Sequence, residues 1–214
     1  MATLQEVEKE DNYQTLCARS RCNRDARREC IYEAWNTQEE AVFIKNNFLL
    51  PAGVKVVIMN PTADGGMPHT RAGKLICLPA YSTENQEKLK ETIRHELVHI
   101  DQVRRPGEWR EYLLKEGWTA FNEDRPLPQY VKERLRINPD TLGAKYLWEG
   151  RYLPCPLYER EDKPRLNEIE VRWWDVKEEK LHPFTPTSFT KKYGTNVSES
   201  SKEHPFELYA YRNE

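Results

Sequence analysis

Hydrophobic and polar positions divide the chain into four stretches. Residues Glu6 to Asn46 contain no Pro or Gly and space Leu16, Ile31, Trp35, Val42 and Ile44 among charges, which predicts one or two amphipathic helices. PAGVKVVIMN is a β-branched run bounded by turn residues and predicts a strand. NPTADGGMPHTRAG predicts a loop, and KLICLPA a second short strand. In YSTENQEK, Thr83 with Gln86 three residues later is a capping-box pattern, so a helix is predicted from there to about Val103. Pro106 and Gly107 stop it. EWREYLLKEGWTAFNED predicts a second helix, ending near RPLP.

Residues 125–202 change texture, with many prolines, aromatics and short alternating runs. They predict an irregular β-rich extension in which IEVRWWDV and KEEKLHPF form a hairpin. Helical spacing returns in SKEHPFELYAYRNE, with Pro205 in the first turn. The expected fold is therefore α+β, one domain over 1–214. Residues 1–46 form a helical region, 47–124 a strand-and-helix core, 125–202 the extension and 203–214 a C-terminal helix.

Composition narrows the function classes. The net charge of −2 with 32% charged residues leaves no general basic footprint, so no nucleic-acid partner is expected. No apolar run approaches the ~20 residues of a membrane span. The acidic, polar start MATLQEVEKEDN resembles neither a signal nor a transit peptide, and the expectation is a soluble cytoplasmic protein. Five cysteines, odd in number and widely spaced, read as reduced thiols.

The chemistry concentrates in RHELVHIDQ. On a helix His95 and His99 are i and i+4, so their imidazoles share a face and can share a metal ion. Thr92 and Gln102 extend that face, and Leu89, Ile93, Leu97 and Ile100 form a separate apolar stripe that buries the helix. Glu96 sits beside the metal face, where a carboxylate can take a proton from water instead of binding the ion. The expected cofactor is Zn²⁺, which lowers the pKa of its bound water to roughly 7.

Together with HPFELYAY near the end of the chain, these motifs resemble the zincin metallopeptidases, and among them the glutamate-ligated gluzincins. Small bacterial and viral proteins that pair HELxHxxQ with a later PFExEAY look most similar. The resemblance covers about residues 73–121 and 203–214. It implies a zinc-dependent metallopeptidase acting on a peptide or protein, with His95 and His99 as ligands and a zinc-bound water activated by Glu96. It also implies that KLICLPA is an edge strand along which an extended peptide lies antiparallel. For the third ligand it points first to Glu207 in HPFELYAY and then to Glu116 in LLKEGWTAF. Glu168 and Glu170 in NEIEVRWW come after these. Tyr209 stands where the related pattern often has a second Glu, so only the first acid carries over.

Other side chains have weaker assignments. Asp101 points away from the metal side, toward Arg104 or Arg105. His69 and His182 can reach a site from loops, and Tyr209 and Tyr211 are either oxyanion donors or core residues. The competing reading is a zincin scaffold used as an interaction module, with Trp173 and Trp174 forming its contact surface.

Overall fold

The structure is a computed structural model and describes residues 4–35, 38–121 and 126–212. The N-terminal region breaks into α1 (Leu4–Asp11), α2 (Tyr13–Arg19), α3 (Arg21–Ala26) and α4 (Gln38–Asn47), rather than one or two helices. Asn12 adopts the left-handed conformation at φ 54°, which Asn tolerates because its short side chain can bond locally. Ser20 is extended. These breaks rotate the phase of the apolar face. Val7, Tyr13, Cys17 and Ile44 are buried, whereas Leu16, Ile31, Trp35 and Val42 are exposed.

Next come β1 (Lys55–Met59), β2 (His69–Arg71) and β3 (Leu75–Pro79), in the sheet order β1-β3-β2. β1 runs parallel to β3, and β2 antiparallel to it. β3 is thus the central strand and not an edge, which corrects the expectation for KLICLPA. Its continuous apolar run suits burial on both faces, and Ile76, Cys77 and Leu78 are fully buried. β2 lies inside the stretch predicted as loop. Its anchor is Arg71, which is fully buried and donates to Asp11 through Nε and Nη2, each at 2.7 Å, and to Glu8 at 2.8 Å.

α5 (Gln86–Arg104) carries the HELVH motif, and α6 (Pro106–Lys115) follows with Pro106 in its first turn. The cap of α5 is Asn85, which accepts from the Lys88 N–H at 3.0 Å. Thr83 belongs instead to a 3-10 turn, and its hydroxyl donates to Glu40. Leu89, Ile93 and Ile100 are buried against Ile44, Ile58 and Ile76, and this contact fixes α5 over the first sheet.

The helix predicted up to RPLP ends early, at Gly117. That residue has φ +98°, and a Cβ there would stand 3.1 Å from the Trp148 ring. The chain then forms β4 (Trp118–Ala120), α7 (Gln129–Lys132), β5 (Tyr146–Trp148), β6 (Tyr152–Tyr158), β7 (Ile169–Asp175) and β8 (Lys180–His182). Strands β4 to β8 make a regular antiparallel meander in sequential order, so the extension is more ordered than its prolines suggest. The predicted hairpin is β7–β8, with Trp174 opposite Leu181.

Trp173 and Trp174 are buried, at 0% and 7% exposure. The contact surface assigned to them is therefore overturned. Trp173 joins Trp118, Trp148 and Phe189 in the core over this sheet, where aromatic burial contributes through area and edge-on contact.

α8 (Thr187–Tyr193), α9 (Glu199–Lys202) and α10 (Pro205–Arg212) complete the described chain. α10 buries Phe206, Leu208 and Tyr209 in the core of the second sheet and turns Glu207 toward α5. All five cysteines are free. Among the described residues no helix is long and apolar enough to cross a membrane.

Candidate metal centre

α5 supplies two imidazoles one helical turn apart, both buried. His95 Nε2 and His99 Nε2 stand 3.1 Å apart. Glu207 Oε2 comes from α10, 3.3 Å from His95 Nε2 and 3.5 Å from His99 Nε2. Ligand atoms held tetrahedrally at ~2.0–2.1 Å from one zinc ion stand about 3.3 Å from each other. The three donors therefore have the spacing of one coordination shell.

The hydrogen bonds behind these donors fix their chemistry. Gln102 Nε2 donates to the Phe206 carbonyl at 3.1 Å, which leaves Gln102 Oε1 to accept from His99 Nδ1 at 2.7 Å. With Nδ1 as the donor to Gln102, Nε2 is the His99 nitrogen that faces the cluster, and a metal ion there would take the place of its proton. Asn138 Nδ2 donates to Glu207 Oε1 at 2.6 Å and also to Glu203. This leaves Glu207 Oε2 facing the histidines.

Electrostatics agree with a buried anion that requires a cation. Burial disfavours a charged Glu207, but His99 and His95 outweigh burial and hold its carboxyl well below the usual range. Burial likewise disfavours a charged His99, and the Glu207 and Asp140 carboxylates push its pKa up to about 10. A metal ion meets the same demand with charge and directed bonds together. Burial, with the Glu207 charge beside it, raises the Glu203 pKa to about 7 despite the ion pair from Arg136.

The centre opens into a cleft of about 310 Å³ whose walls include Pro68, Glu96, Arg136, Asp140, Glu203 and Tyr211. Glu96 follows His95 on α5 and is itself buried. Tyr211, one turn beyond Glu207, sets its ring edge-on to His95 with centroids 4.5 Å apart.

The other predicted residues lie elsewhere. Glu116 caps α6, where it accepts from the Tyr209 hydroxyl at 3.0 Å and pairs with Lys192 at 2.9 Å. That contact also takes the Tyr209 hydroxyl away from an oxyanion role. Glu168 pairs with Arg165, and Glu170 with Arg172. His69 bonds the Tyr32 hydroxyl at 2.8 Å, beside Asp64. His182 lies near Asp175 and Glu178, where Arg151 already neutralises both acids. Asp101 accepts two hydrogen bonds of 2.6 Å from Arg105, one of its two expected partners.

Asn138, Asp140, Arg136 and Glu203 are cleft residues that the sequence did not announce. Asn138 and Asp140 come from a 3-10 turn at residues 138–141, capped by Asn138 itself. Its NPD sequence signals only a turn.

No family model matches the chain, and searches of curated proteins and solved structures found no match either.

Proposed function

We propose that the chain is a zinc-dependent hydrolase of the zincin type that cleaves peptide bonds, with His95, His99 and Glu207 as ligands and Glu96 as the general base. The donor triangle carries this reading, with spacings of 3.1, 3.3 and 3.5 Å. Two neutral imidazoles and one carboxylate leave a fourth position open, as hydrolytic zinc sites require. When bound, the ion polarises a carbonyl and lowers the pKa of a coordinated water toward ~7.

The protein's own groups do the remaining work. Gln102 holds the His99 tautomer and ring plane, and Asn138 aims the Glu207 carboxylate. Glu96 takes the proton from the attacking water and passes it to the departing amine, so one carboxylate serves first as base and then as acid. Tyr211 forms one wall beside His95 and is 40% exposed, which leaves its rim open to substrate.

Glu96→Gln tests the reading. The variant keeps the donors and is expected to keep zinc and fold while peptide cleavage falls at least ~10²-fold. Equal cleavage by the variant and the parent at equal zinc loading contradicts the role given to Glu96. A zinc-loaded parent that cleaves no peptide in a broad library contradicts the peptidase assignment.

A further inference from the structure

An extended peptide can join a sheet only at an edge that offers outward N–H and C=O groups at two-residue intervals. The first sheet has two edges, β1 and β2. At β1, the Trp35 N–H donates to the Ile58 carbonyl at 2.9 Å, and the Asn60 N–H to the Glu33 carbonyl at 3.0 Å. Residues 33–35 thus already occupy that side at its C-terminal end, around Met59.

β2 is the edge on the cleft side, and Met67 and Pro68 immediately before it line the cleft. In its pairing with β3, His69 faces Cys77 and Arg71 faces Leu75. Strand alternation makes Thr70 the residue whose backbone points outward. Its N–H is not free, because it donates to Asp140 Oδ1 at 2.5 Å, and the Thr70 hydroxyl donates to the same oxygen at 2.9 Å. The next outward position toward the cleft is Pro68, which has no N–H. From Pro68 to Arg71 the edge offers a strand no backbone donor.

Asp140 is firmly held. Its N–H donates to Asn138 Oδ1 at 3.0 Å, while the Asn138 amide donates to Glu207. The turn that seals the edge is therefore tied to the candidate third ligand.

We infer that Asp140 closes the β2 edge, so the cleft takes short peptides or chain ends held by side chains, and extended strands are excluded. The inference rests on the proposed hydrolase. At about 310 Å³ the cleft lies at the low end of the ~300–1,000 Å³ range of small-ligand pockets. Spare donors of Arg136 supply one hold. Its Nη1 is committed to Glu203, whereas Nη2 has a sulfur contact with Met67 at 3.7 Å.

Two measurements on the full chain test this. The first is amide exchange at Thr70, which needs no metal. It should be slow in the parent and in Asp140→Asn, which keeps the acceptor oxygen, and at least about tenfold faster in Asp140→Ala. Exchange in the parent at the rate of an open amide overturns the closed edge.

The second uses alanyl hydroxamates of one, two, four and six residues on the zinc-loaded protein. Affinity should rise to the second residue and then change by less than about threefold in the parent. A gain of about tenfold or more from two to six residues, with a shift of the Thr70 amide, overturns the inference. Absence of binding at every length overturns the zinc-hydrolase reading instead, and Thr70 exchange still decides whether the edge is closed.

Discussion

Gln102 Oε1 accepts a hydrogen bond from His99 Nδ1 at 2.7 Å, three residues back on the same helix. The other end of the same amide holds the Phe206 carbonyl of α10. One side chain therefore sets the tautomer of a candidate ligand and joins the helix bearing two donors to the helix bearing the third.

Gln102→Ala should lower zinc affinity about 10–100-fold, the usual cost of losing an outer-shell partner. Competition against a chelator measures it. Affinity within about threefold of the parent would mean that His99 is oriented by something other than this bond.

Glu207 and Glu116 make a matched pair, since Glu207 lies on α10 and Glu116 accepts from Tyr209 of the same helix, but only Glu207 faces the histidines. Glu207→Gln should weaken zinc binding by more than the ~10–100-fold of an outer-shell loss. Glu116→Gln should leave binding unchanged, because its partners are Tyr209 and Lys192. Deleting residues 203–214 should lower stability as well, as it removes Phe206, Leu208 and Tyr209 from a core. Equal affinities for the two Gln variants would remove Glu207 from the ligand set.

How far the site was legible depended on sequence separation. His95, Glu96, His99 and the stripe Leu89–Ile93–Ile100 lie within one helix, where 3.6-residue spacing maps directly onto faces. Glu207 could be singled out from its HPFELYAY setting. Asn138 and Asp140 reach partners 69 and 70 residues away, and no local pattern encodes such contacts. β2 was missed because HTR is polar yet buried, its Arg71 satisfied by acids 60 and 63 residues earlier. The edge position of β3 was an expectation of the resemblance, and β2 pairing on its other side removes it. The Asn12 break likewise misassigned the buried face of the N-terminal helices.

Acid stability should depend on Asp64. Burial opposes its ionisation, but His69, Arg27 and the Tyr13 hydrogen bond outweigh burial and lower its pKa. Because the folded value lies below the unfolded ~3.9, this stabilisation is present above about pH 4 and is lost as pH falls through the folded value. Asp64→Asn should therefore cost about 3–5 kcal/mol near neutrality by stranding Arg27, which donates to Asp64 at 2.9 Å. The deficit should shrink as pH falls below about 4. Denaturant unfolding of both proteins across that range reads it out, and a pH-independent difference would exclude this role.

The central claim is that α5 and α10 together hold one metal ion. Metal analysis of the purified protein, equilibrated with zinc and freed of excess without chelator, tests it most directly. The account predicts about one zinc per chain for the parent and for Glu96→Gln, and close to none for His95→Ala and His99→Ala. A parent without stoichiometric zinc, or histidine variants that retain it in full, would contradict the account.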